Sequence, residues 1–196
     1  MLRRLSLSAA ILTAAAAPAF AHLDPLAHGS FMAGVSHPLF GFDHVLAMVT
    51  VGLWAAQTAG RDQGSVTTLW AVPAAFVATM ALGFAAGTAG VALPFVEPAI
   101  LASVIALGLL VSMAVKLPVP ASAAVVAVFA LFHGFAHGEE LGTAGALQFG
   151  LGFVAATALL HGAGIALGLA ASRFAPALAR LAGALTALIG LSLVFG

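Results

Sequence analysis

The sequence predicts an all-α fold: a polytopic membrane bundle of six transmembrane helices preceded by a cleaved signal peptide. Three observations carry this. Of 196 residues, 63% are hydrophobic and only 6% charged, whereas soluble domains carry roughly 25% charged residues. So few charges cannot cover a water-facing surface, and the solvent must be lipid. Six segments are apolar over the ~20 residues a helix needs to cross a bilayer. The start of the chain has the pattern of a secretory leader.

That leader comes first in order. Arg3 and Arg4 form a positive region, Leu5 to Ala17 an apolar one, and Ala19-Phe20-Ala21 a small-x-small cleavage site. Cleavage would divide the chain into a signal peptide, 1–21, and a single permease-sized domain, 22–196, that begins at His22. The spans are expected at about 39–58, 67–88, 96–115, 121–138, 144–171 and 177–195. Short polar or proline-bearing separators lie between them, including Glu139 to Gly142, and the long fifth segment invites a break near His161-Gly162-Ala163-Gly164. With the mature N-terminus outside, Arg61, Lys116, Arg173 and Arg180 all fall at cytoplasmic ends, as the positive-inside rule requires. Asp24, Asp43, Glu97, Glu139 and Glu140 fall on the opposite side. The twenty-two glycines, with Gly83 and Gly87 or Gly164 and Gly168 at four-residue spacing, let helix backbones approach closely where lipid gives no hydrophobic drive to associate. No internal repeat is legible.

Composition also excludes chemistry. Lys plus Arg equals Asp plus Glu, so there is no basic field for nucleic acid. The absence of cysteine removes disulfides, thiolate metal sites, iron–sulfur clusters and covalent haem. No prosthetic group is called for. Seven histidines against twelve formal charges is the feature that asks for an explanation.

Two stretches hold most of them. In SHPLFGFDHVLAM, residues 36 to 48, Ser36 suits a helix N-terminus and Pro38 a first turn. His37 and His44, seven apart, would then share a helix face. Asp43 beside His44 would be a co-ligand, or the acceptor that fixes which ring nitrogen faces a metal. In FHGFAHGEE, residues 132 to 140, His133 and His137 are an i, i+4 pair that presents two imidazoles to one ion, with Glu139 and Glu140 at the outer end. Gly134 and Gly138 leave room for a neighbouring helix or for the first span's ligands. Glu97 opens the third span from that same side, and His161 lies deeper in the fifth. Met48, Met80 and Met113 read as gap-fillers or as soft ligands along a pathway.

In that topology His37, Asp43, His44, Glu97, His137 and Glu140 gather in the outer half of the membrane, with His133 one turn deeper. Ionisable groups at the bilayer centre cost at least ~2.5 kcal/mol each, and a bound divalent cation offsets that cost. Imidazole with carboxylate and no thiolate suits nickel, cobalt, zinc or copper(II). The α-amino group and imidazole of a mature His22 would form a chelate at the entrance. Because imidazole binds metal only when neutral, uptake is expected to weaken below about pH 6, near the reference histidine pKa of ~6.5.

At these motifs the sequence resembles the HupE/UreJ family of nickel or cobalt permeases, found beside hydrogenase or urease systems. The matching elements are His37-Pro38, the five residues that separate His37 from Asp43-His44, the FHGFAHGEE stretch, ALPFVEPAI and LLHGAGI. The resemblance implies a non-enzymatic inner-membrane permease whose cargo is Ni2+ or Co2+. It implies functional roles for these His, Asp and Glu positions, and an indirect link to hydrogenase or urease maturation. Three rivals are a bis-histidine b-type cytochrome, an intramembrane metal-dependent hydrolase, and a metal-binding accessory or sensor protein without transport. No HExxH or nucleotide-binding motif is present.

Overall fold

Lipid offers no hydrogen bonds to a backbone, so a chain that enters it must satisfy its own amides. The described residues do this with helices alone. The computed structural model describes residues 30–59, 66–141 and 145–195. The signal-peptide reading of residues 1–21, His22, His28 and Arg61 lie outside them. Seven helices follow in order: α1 Phe31–Phe40, α2 Phe42–Ala59, α3 Val66–Thr88, α4 Val96–Ser112, α5 Val119–Leu141, α6 Ala146–Phe174 and α7 Pro176–Phe195.

Within α3 (from Leu69 on), and in α5, α6 and α7, four helices are long and apolar enough to cross a membrane, or five if the bent pair α1–α2 counts as one span. At 17 residues, α4 is shorter. Large apolar side chains such as Leu82, Leu151, Leu159, Leu167 and Leu188 point outward, as expected of a surface solvated by hydrocarbon. The interior holds Met48, Trp54, Phe76, Met80, Phe135 and Phe153, together with buried histidine, serine and threonine side chains.

Four expectations need correction. Ser36 does not start the first helix: Ser30 caps α1, its side chain accepting from the Ala33 N–H, and Pro38 sits near the end of that helix. The chain then turns by 84° between α1 and α2, at Gly41. His37 and His44 therefore stand on different helices rather than on one face of one. Glu139 and Glu140 are not a separator, because α5 continues through them to Leu141. Finally, α6 runs unbroken past His161-Gly162-Ala163-Gly164, since its glycines are used for close packing, not for a break.

Those glycines define the helix crossings. α3 packs on α5, α2 on α6, and α4 on α7, with α1 laid against α6. A side chain at Gly52 of α2 would collide with the His161 carbonyl oxygen of α6, and one at Gly164 with that of Val49. In the other crossing, Gly134 of α5 meets the Met80 carbonyl of α3, and Gly83 meets that of Leu131. The two crossings correspond residue by residue: Gly52 to Gly134 and Val49 to Leu131 at a spacing of 82, Gly83 to Gly164 and Met80 to His161 at 81. Gly87 against the Phe135 carbonyl likewise matches Gly168 against that of Leu53. Between α4 and α7, Gly108 against the Ala187 amide matches Gly190 against the Ile105 amide. The set α2–α3–α4 thus recurs as α5–α6–α7. Sequence comparison misses this because little beyond the small residues at the contacts is shared.

The ends of the bundle differ in charge. Arg180 Nε donates to the Ser112 carbonyl at 2.8 Å, which joins the start of α7 to the end of α4. Lys116, in the connection between α4 and α5, and Arg173, in the last turn of α6, lie at this same end. Glu97, Glu140 and Asp43 lie at the other. At the basic end α4 is finished by side chains of α2: Trp54 Nε1 donates to the Val115 carbonyl at 3.0 Å, and Gln57 Nε2 to that of Val111 at 3.2 Å.

Candidate metal centre

Three helices bring six of the predicted residues to one place. α1 supplies His37, α2 supplies Asp43 and His44, and α5 supplies His133, His137 and Glu140. The bend after α1 folds His37 back over the start of α2, so that its ring centroid lies 6.1 Å from that of His44 and 4.4 Å from that of His137. A Cβ at Gly41 would stand 2.8 Å from His44 Nδ1, so glycine at the bend leaves space for the ring. The i, i+4 pair on α5 behaves as its spacing predicts: His44 is 4.6 Å from His137 and 5.2 Å from His133, centroid to centroid. Gly134 and Gly138 make room for α3, through the carbonyls of Met80 and Phe84.

The hydrogen bonds fix tautomers. Asp43 is a carboxylate and can only accept, so His44 Nδ1–H donates to Asp43 Oδ1 at 2.9 Å. A neutral His44 then has its lone pair on Nε2. That atom is 2.5 Å from Nε2 of His137, which must carry the shared proton. His137 Nδ1 is left with a lone pair, buried and without a hydrogen-bond partner, yet 3.5 Å from Glu140 Oε2. With both imidazoles neutral, two acceptors face each other here. His37 completes the group: one ligand atom each from His37, His137 and Glu140 lie within 4.8 Å of one another. Ligand atoms around a divalent transition metal stand ~2.0–2.2 Å from it, hence up to ~4.4 Å apart, so small side-chain rotations close these three on one ion.

Sequence reasoning missed several contributors. Ser103 of α4, fully buried, donates to the Ile100 carbonyl at 2.6 Å and therefore accepts from His133 Nε2–H at 2.9 Å. His133 Nδ1 keeps its lone pair and has no hydrogen-bond partner. Phe153 of α6 packs edge-on against His137 at 4.8 Å and lies 6.4 Å from both His37 and His44, and Phe149 lies 5.7 Å from His37. These rings wall the cluster off from lipid. A serine or phenylalanine in an apolar helix gives no sign in sequence of what it will face. Glu97 lies on the first turn of α4, exposed, and is not part of the three-residue group. His161 is buried deeper, against Phe76.

The comparisons with known proteins agree with this picture. Residues 10–193 match the family model described as HupE / UreJ protein. The chain is similar to Protein HupE of Rhizobium leguminosarum bv. viciae, 47% identical over 190 residues that cover 94% of this chain and 95% of that protein. No solved structure matches significantly. A bundle of apolar helices with histidines and carboxylates gathered at its acidic end, matched over nearly its whole length, belongs to the HupE/UreJ family.

Proposed function

We propose that the chain is a secondary permease that carries a divalent transition metal, nickel first and cobalt second, inward across the bacterial inner membrane. The observation that carries this is the convergence of His37, His137 and Glu140, whose ligand atoms lie within 4.8 Å of one another, with His137 Nδ1 3.5 Å from Glu140 Oε2. A cation is the natural guest of such a gap. In this reading His37, His137 and Glu140 hold the ion with His44 and His133. Asp43 holds the His44 ring in the tautomer that leaves Nε2 bare, which is the second of the two roles considered for it. Glu97 and a mature His22 attract ions at the entrance.

The cluster faces the periplasm, and α2 to α7 make six spans. Support for the orientation comes from Lys116, Arg173 and Arg180 at one end and the acids at the other. The inward membrane potential supplies ~2.3 kcal/mol per charge per 100 mV, twice that for a divalent ion. No nucleotide motif suggests another energy source.

Reconstitution in proteoliposomes with an imposed inward-negative potential and nickel-63 outside tests the reading. Wild type should accumulate the isotope, and His137→Ala should not. Binding without accumulation would make the protein an accessory or sensor, and a haem absorption spectrum would make it a cytochrome. Equal uptake by wild type and variant would end the assignment of the site.

A further inference from the structure

Beyond the outer cluster the two equivalent halves meet at a second polar point. His161 lies two turns past Phe153 on α6, about 12 Å further along that helix at ~1.5 Å per residue. It has no exposed surface, and neither ring nitrogen has a hydrogen-bond partner. A buried imidazole with both nitrogens idle costs free energy, and inside a membrane protein such a group marks a site. Phe76 of α3 packs edge-on against it, 5.1 Å between centroids, and reaches His133 on its other side at 6.0 Å. That neighbour's Nδ1 is unpartnered as well.

The repeat gives this point its meaning. The 81-residue correspondence between α3 and α6 pairs Phe76 with Thr157 and Met80 with His161. The contact of Phe76 with His161 is thus the counterpart of the contact in which Thr157 Oγ1 lies 3.6 Å from Met80 Sδ. Two contacts that exchange with each other lie on either side of a pseudo-two-fold axis. All four side chains are fully buried, and all four fall near the middle of their helices. Along this seam Phe76, Met80 and Phe84 meet His161, Thr157 and Phe149 in turn, so the equivalent helices run in opposite directions. Transporters built from such inverted repeats hold their substrate near the bilayer midplane, at the repeat interface.

We propose that His161, with the Thr157 hydroxyl one turn before it on α6 and the Met80 thioether that Thr157 contacts, is a second cation station at the centre of the membrane. It receives a partly hydrated first-row divalent ion from His133 past the ring of Phe76. This rests on the transport reading above. One imidazole with two weak donors holds such an ion loosely, which suits a site the ion must leave.

The test separates capture from passage. His161→Gln, reconstituted as the full chain, should bind Co2+ at the outer cluster with half-saturation within about twofold of wild type. Its nickel-63 uptake rate should fall at least about tenfold. In wild type labelled with 15N-histidine, diamagnetic Zn2+ should shift the His161 ring resonances, a readout that needs no substitution. Uptake by His161→Gln within about twofold of wild type, or His161 resonances that Zn2+ leaves unmoved while those of His137 shift, would overturn the proposal. Failure of the transport reading looks different: wild type itself would take up no metal.

Discussion

The first and second halves of the helical bundle share their backbone crossings but not their chemistry. Where α2 opens with Asp43 and His44, the 82-residue correspondence puts Val125 and Val126 in α5. Where α5 carries His133 and His137, it puts Val51 and Ala55 in α2. Every one of these four polar residues falls at the acidic end of the molecule, and every counterpart at the basic end is aliphatic. The frame is close to two-fold symmetric, and its placement of histidine and carboxylate at these positions is one-sided. Only the glycine contacts had to be kept for two halves to pack alike, which left the other side chains free to differ between the ends.

The comparison can be broken most severely by giving the outer end the residue of its counterpart. His44→Val removes the imidazole that joins α2 to α5. Losing an outer-shell partner already costs about 10–100-fold in metal affinity, so loss of this ring should cost more than about 100-fold, read by Co2+ titration of the detergent-solubilised protein. Retained affinity would mean that the cluster does not act as a unit. Asp43→Asn comes next. Its amide can offer either a donor or an acceptor to His44 Nδ1, so the tautomer is no longer dictated, and affinity should drop about 10–100-fold while thermal stability stays near wild type. The mildest change probes the frame itself. Gly52→Val and Gly134→Val each drive a side chain into a backbone carbonyl, at the cost of about 1–3 kcal/mol of overpacking. Because the two positions are equivalent, their losses in a denaturant titration should agree within about 1 kcal/mol. A large inequality would show the correspondence to be superficial.

Much of this was legible from the residues alone. Apolar length located all the long helices, and α5 and α7 began within two residues of expectation. The spacing of His133 and His137 gave a true pair because one regular helix carries both. The spacing of His37 and His44 gave the right association for the wrong reason. The residues do meet, but through a sharp turn at Gly41 that no periodicity announces. Ser103, Phe149 and Phe153 stayed hidden because a residue's role in a bundle depends on which helix stands opposite. The repeat stayed hidden because packing preserved few identities besides Gly52 with Gly134, Gly83 with Gly164, Gly87 with Gly168 and Gly108 with Gly190.

The brevity of α4 has a consequence for the far side of the molecule. Seventeen residues reach about 26 Å at ~1.5 Å per residue, less than the ~30 Å of hydrocarbon. Trp54 and Gln57 already occupy the carbonyls at its end, so the helix is sealed there rather than extended. With α4 crossing as proposed, the surrounding lipid must dip to meet it. Such a dimple at the basic end would draw water and headgroups toward His161 and shorten the dry stretch at the middle of the bundle.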